Sequence, residues 1–98
     1  MTNVLEHDTD VLVRQVDSQL ALMRLSGGAD MTVAERLAGS LRELIVSTTR
    51  ASAVDRARVR AAVHYLMLRR SLVADLRVVN EIARSLGRDD LVVQLAGA

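Results

Sequence analysis

The segment from Ser52 to Arg70 is predicted to form a helix with apolar residues on two opposite sides. Aliphatic side chains and one tyrosine recur at helical spacing, with Val59, Ala62, Val63 and Leu66 on one side and Val54, Ala57, Ala61, Tyr65 and Leu68 on the other. A surface helix of a globular protein needs a single apolar stripe. The second stripe predicts either a helix buried on both sides within its own bundle or a helix that packs against a second copy of the chain.

The composition favours an all-α fold. The 98 residues include no proline and five glycines, so the strongest helix breaker is absent. Half of the residues are hydrophobic, and Tyr65 is the single aromatic residue, so the core must be aliphatic. We expect a small antiparallel bundle of three to four main helices with a short C-terminal helical turn. Residues 1–9 are predicted to form a flexible N-terminal tail, and residues 10–98 a single helical-bundle domain.

Capping residues and glycines place the ends of the first two helices. The first is predicted to run from about Asp10 to Leu25, with a cap supplied by one of residues 8–10. The pair Gly27-Gly28 ends it, because glycine readily adopts the left-handed conformation found after helix C-termini. The second helix is predicted to open at Thr32-Val33-Ala34-Glu35, which matches a capping box.

Similar start and stop signals mark the third and fourth helices. Ser52 and Asp55 repeat the capping pattern at the start of the third helix. The fourth is predicted from Leu72 or Ala74 to Leu86, with Gly87 as its C-terminal cap. No glycine or proline separates the third helix from the fourth, so two helices and one kinked helix both remain open. A last short helical turn is expected over Leu91 to Leu95.

Three residues form a polar ridge along the third helix. Arg56, Arg60 and His64 recur at every fourth position, and their side chains have the chemistry of a site for a phosphate, a carboxylate or a partner's acidic helix. The alternative is a solvated seam whose cations pair with acidic side chains of the same chain: Glu35, Glu43, Asp75 or Glu81. His64 and Tyr65 are adjacent and point to different sides of a helix, so they are not expected to act together on one atom.

A small DNA-binding regulator is one alternative function. The segment from residue 55 to residue 90 contains two helices, and a helix-turn-helix protein uses the second of such a pair to read base edges. The polar side of that helix carries candidate contact residues: Asp75, Arg77, Asn80, Glu81, Arg84 and Ser85. Affinity for DNA rests mainly on neutralised phosphates, and a net charge of +1 provides little for that purpose.

A small arginine-rich helical enzyme acting on an anionic metabolite is a second alternative, because all 13 cationic side chains are arginine. The stretch from Leu12 to Asp17 is similar to the opening helix of the chorismate mutase family. That family's pattern calls for an active-site lysine, and the chain contains none. We therefore transfer no residue role from it. The chain also lacks a glycine-rich phosphate loop and a Gly-x-Ser-x-Gly motif.

The sequence favours a non-catalytic protein–protein interaction or regulatory module that forms a homodimer. The interface is predicted to consist of one stripe of the third helix, either Val54, Ala61, Tyr65 and Leu68 or else Val59, Val63 and Leu66. No catalytic residue, cofactor or metal site is predicted, since cysteine is absent and the bundle lacks a Glu-x-x-His pattern. No apolar run approaches the roughly 18 residues of a membrane span, and the N-terminus is acidic, so a cytoplasmic protein is expected.

Overall fold

The described part of the chain folds into four helices and a short turn. The computed structural model describes residues 4–27, 30–68 and 71–94, and within these ranges it contains no β-strand. The helices are α1 (Val4–Ser26), α2 (Met31–Ser47), α3 (Ala53–Met67) and α4 (Leu72–Ser85), followed by a 3₁₀ turn over Asp89–Leu91. The predicted small all-α bundle is confirmed.

Short connections make consecutive helices antiparallel. Arg24, near the end of α1, lies 3.0 Å from Glu35 at the start of α2. At the opposite end of this pair, the hydroxyl groups of Thr9 and Thr49 lie 2.8 Å apart. Because α2 is antiparallel to both of its neighbours, α1 and α3 point in the same direction.

The core lies where the four helices meet and is aliphatic, as the composition requires. Its most deeply buried hydrophobic side chains come from every helix: Val16, Leu37, Leu41, Leu44, Val59, Val63 and Val79. Full burial of one such side chain contributes about 1.5–3 kcal/mol relative to exposure. The apolar stripe predicted for each helix therefore supplies the main stabilising term of the fold.

Helix α1 begins earlier than the sequence pattern predicted. Residues 4–9 were expected in a flexible tail, but they form the first turns of α1. That prediction was wrong for these residues because they gain partners from the rest of the bundle. Glu6 pairs with Arg50 at 3.3 Å, and Thr9 contacts Thr49. Residues 1–3 lie outside the described part of the chain.

The helix caps agree with the sequence at most positions. Ser52 caps α3 through its hydroxyl group, as predicted, and Ser71, which the sequence pattern did not single out as a cap, does the same for α4. Gly27 and Gly87 follow α1 and α4 with φ values of +67° and +71°, the left-handed conformation expected after a helix end. Residue 28 lies outside the described ranges. The cap of α2 was predicted wrongly at Thr32, since the carboxylate of Asp30 accepts hydrogen bonds from the amides of residues 32 and 33.

The junction between α3 and α4 settles the question of a kinked helix. Helix α3 ends at Met67, and Ser71 has extended backbone angles (φ −158°, ψ 153°) before α4 begins. The two helices are therefore separate. Arg69 and Arg70, which were predicted to end the third helix, lie outside the described residues.

The C-terminal segment packs back on the bundle, but its local structure differs from the prediction. The turn occupies Asp89–Leu91 rather than residues 91–95, and residues 92–94, beginning with Val92 in an extended conformation, are not helical. The hydroxyl of Ser40 in α2 donates to the carbonyl oxygen of Leu91 at 2.7 Å. Val93 is buried in the core. Side-chain hydrogen bonds thus hold a segment that the apolar pattern alone predicted to be helical.

Candidate protein interface

The inward face of α3 belongs to the core of the chain. Val59, Ala62, Val63 and Leu66 are each at most 3% exposed. The prediction left open which of the two stripes faces a partner. The alternative interface formed by the stripe of Val59, Val63 and Leu66 is wrong, because these side chains already fill the space between α3 and the other helices.

The outward face of α3 is left uncovered by the other helices of the chain. We call Val54, Ala57, Ala61, Tyr65 and Leu68 the outward stripe. Val54 is 61% exposed and Leu68 is 60% exposed, whereas Tyr65 is half-buried. Both alanines are exposed as well. A helix buried on both sides within its own bundle was one of the two predicted arrangements, and the exposure of this stripe contradicts it.

Charged side chains border the outward stripe on both edges. Along one edge the guanidinium of Arg58 lies 3.9 Å from the carboxylate of Asp55, one turn earlier in the helix. Along the other edge Arg60 lies 3.4 Å from Asp8 in α1. An apolar centre with a charged rim is the usual organisation of a protein–protein interface.

The polar ridge of Arg56, Arg60 and His64 faces the groove between α1 and α3. Arg56 donates a hydrogen bond to the carbonyl oxygen of Ala51, and Arg60 pairs with Asp8. His64 is exposed and lines an open groove with Asp8 and Arg60. Both arginines of the ridge are therefore engaged within the chain, and the carboxylate of Asp8 lines the groove that an anion would enter.

The acidic partners foreseen for this ridge lie elsewhere. Glu35 pairs with Arg24, and Glu43 lies 3.9 Å from Arg88. The carboxylate that does pair with the ridge belongs to Asp8. The sequence pattern missed it because residue 8 was expected in a tail and not in a helix beside α3.

Asn80 was predicted on the polar face of α4, but its side chain lies inside the protein. Its amide nitrogen donates to the carbonyl oxygen of Val93 at 2.8 Å, and its amide oxygen accepts from the backbone N–H of Val93 at 2.9 Å. Two buried backbone groups are thereby satisfied by a single side chain. Asn80 is not available to read DNA bases, and helical periodicity gave no signal of this role.

Asp75 was also predicted on the polar face of α4, yet it is only 2% exposed. Among the described residues its Oδ1 atom has no hydrogen-bond partner. Burial raises the pKa of Asp75 from 3.8 to about 6. Its position in the first turn of α4 favours the charged form by about 0.3–1 kcal/mol. The pKa is nevertheless raised, so desolvation outweighs the helix dipole.

Other functional features are sparse in the described ranges. No three histidine or acidic side chains come together there as a set of metal ligands. None of the four described helices combines the length and apolar character that crossing a bilayer requires. Comparison with protein-family models, curated proteins and solved structures finds no significant match to the chain.

Proposed function

We propose that this protein is a non-catalytic interaction module that self-associates through the outward stripe of α3. The observation that carries the proposal is the exposure of Val54 and Leu68 at 61% and 60% on a helix whose opposite face is fully buried. The predicted interface of Val54, Ala61, Tyr65 and Leu68 falls entirely on this surface.

The energetics of apolar surface support this role. Each 100 Å² of apolar surface removed from water contributes roughly 2.5 kcal/mol. A continuous apolar strip along a helix is also an aggregation liability when it stays uncovered. A partner that covers the outward stripe removes its apolar surface from water and removes the aggregation liability. A two-fold homodimer is the commonest such arrangement among soluble oligomers.

The polar residues of the chain favour binding over catalysis. Arg56 and Arg60 line one cavity together with the carboxylate of Asp8, and both guanidinium groups are held within the chain, by Ala51 and by Asp8. The DNA-binding alternative loses support for a related reason. Asp75 and Asn80, two of the side chains offered for base contacts, are buried. No observation on α4 favours that function over self-association.

The oligomeric state tests the proposal, and the chain offers a matched pair of variants. Val54→Glu places a charge on the outward stripe, whereas Val46→Glu places one on the exposed surface of α2, at a residue that is not part of the stripe. The two valines are similarly exposed, at 61% and 56%. Sedimentation velocity over a wide concentration range should show a reversible dimer for the natural chain and for Val46→Glu, and a monomer for Val54→Glu.

Two outcomes would contradict the proposal. A natural chain that stays monomeric at all accessible concentrations has no self-association to explain. A Val54→Glu variant that dimerises as well as Val46→Glu would place the interface elsewhere. Circular dichroism on each variant checks that helical content is unchanged, so that loss of the dimer is not confused with unfolding. Leu68→Glu repeats the test at the other end of the stripe.

A further inference from the structure

We propose that the second copy binds with its α3 helix antiparallel to the first, and that a two-fold axis passes beside Ala61. This inference rests on the proposed self-association and adds the geometry of the complex. It follows from the spacing, size and charge of the side chains on and beside the outward stripe.

The spacing of the outward stripe is symmetric about its centre. Its members stand at positions 54, 57, 61, 65 and 68, so the steps between them are three, four, four and three residues in either direction. A two-fold interface must be complementary to itself, because the same surface is used by both copies. An antiparallel pair centred on Ala61 meets that condition along the whole stripe.

The sizes of the opposed side chains also fit the antiparallel arrangement. Ala57, the smaller residue, then faces Tyr65 of the second copy, and Val54 faces Leu68. Ala61 meets its own copy at the axis, where a small side chain lets two backbones approach closely. A parallel pair would instead put Tyr65 against Tyr65 and Ala57 against Ala57. The two tyrosines would crowd each other at one level, and the two alanines would leave a gap at another, so the parallel pair packs poorly.

The charged edges are compatible with the same arrangement. A two-fold axis perpendicular to the helices brings the same edge of each α3 together. Arg58 then lies beside Tyr65 of the second copy, where a cation–π contact is available. Arg58 is three residues from the axis, so its two copies are about 9 Å apart along the helices. That separation is close to the Debye length in physiological salt, and Asp55 lies beside each arginine.

The contact is small, so the dimer is expected to be weak and reversible. From residue 54 to residue 68 a helix rises about 21 Å. An interface of one helix pair of this length belongs to the small, transient class. Covalent trapping is therefore the appropriate test of its geometry. The chain contains no cysteine, so each introduced thiol is unique.

Disulfide trapping separates the two possible directions. In the antiparallel pair, Ala61→Cys should form a cross-linked dimer alone. Ala57→Cys and Tyr65→Cys should not cross-link when each is alone, but a mixture of the two variants should. The bond requires Cα atoms within about 7 Å, so residues far from their own copies do not react efficiently. Val54→Cys mixed with Leu68→Cys provides a second pair. Ala21→Cys, on the exposed surface of α1, measures cross-linking by random collision.

Each result has a distinct meaning. If Ala57→Cys and Tyr65→Cys each cross-link alone as efficiently as Ala61→Cys, the helices are parallel, and the inference is overturned while the proposed function stands. If every variant stays at the level of Ala21→Cys and the natural chain is monomeric, the proposed function fails as well. If the natural chain dimerises but Ala61→Cys does not react, the dimer uses another surface.

Discussion

Helices α3 and α4 both depart from the simple amphipathic pattern, but in opposite directions. Helix α3 leaves apolar side chains such as Val54 and Leu68 outside, whereas α4 takes the polar side chains of Asp75 and Asn80 inside. In α4 the buried amide of Asn80 is satisfied within the chain, because it forms hydrogen bonds with Val93. The burial of the Asp75 carboxylate is costly, because it is desolvated. The departure in α3 finds no compensation among the described residues. The outward face of α3 is therefore the surface that a partner would cover.

The largest expected effect comes from the inward face of α3. Leu66→Ala removes a side chain that is 3% exposed and leaves a cavity in the core. We expect the free energy of unfolding to fall by about 2–5 kcal/mol. Urea denaturation followed by circular dichroism measures this. An average substitution costs about 1 kcal/mol. A loss below that value would mean that the two faces of α3 are less different than their burial indicates.

Asn80→Ala is expected to have the next largest effect. It leaves the buried N–H and C=O groups of Val93 without partners, at about 1–2 kcal/mol for each group, so we expect a loss of about 2–4 kcal/mol. Hydrogen exchange should also show that the Val93 amide loses protection. Arg84→Ala, at an exposed position of the same helix, is the control and should change stability little. Equal losses in both variants would remove the special role of Asn80.

Asp75→Asn should stabilise the protein at neutral pH. Because the pKa of Asp75 is raised from 3.8 to about 6, the folded state holds a proton in that range that the unfolded state has released. Stability contributed by this group is thus present at low pH and is lost as pH rises through this window. The amide lacks the charge, so we expect a gain of about 1–3 kcal/mol at pH 7. Urea denaturation between pH 4 and pH 7 tests this, and parallel pH curves for both proteins would contradict it.

The smallest expected effect on the fold comes from the outward stripe. Leu68→Ala should change the free energy of unfolding of the single chain by less than about 0.5 kcal/mol, since the side chain is 60% exposed. The same change should weaken the dimer. The measurement is urea denaturation at a concentration low enough to dissociate the natural chain. A large loss there would show that Leu68 serves the fold rather than a partner.

The sequence predicted the parts of this structure that depend on local pattern. Apolar spacing found all four helices, and the residues Ser52 and Gly87 marked a start and an end because their chemistry acts on the adjacent backbone. It also singled out the two stripes of α3. Periodicity did not decide which stripe is inside, because both consist of similar aliphatic residues. That choice depends on which helices pack beside α3.

The features that sequence reasoning missed depend on contacts between distant positions. Asn80 and Val93 are 13 residues apart, and Asp8 and Arg60 are 52 apart. A polar residue near the edge of a helical stripe looks solvated when only its own helix is considered. Its burial follows from a neighbour that the pattern of one helix does not contain. The two candidate stripes of α3 could be found from the sequence because each depends on one helix alone.

The two hydrogen bonds between Asn80 and Val93 also fix the alignment of the C-terminal segment. Val93 is buried in the core, whereas the next residue, Gln94, is exposed. A shift by a single position would therefore take Val93 from its buried place and bring Val92 or Gln94 to it. The segment between Leu86 and Val92 consequently has a set length, and a one-residue insertion or deletion there should be tolerated far less well than a change of side chain.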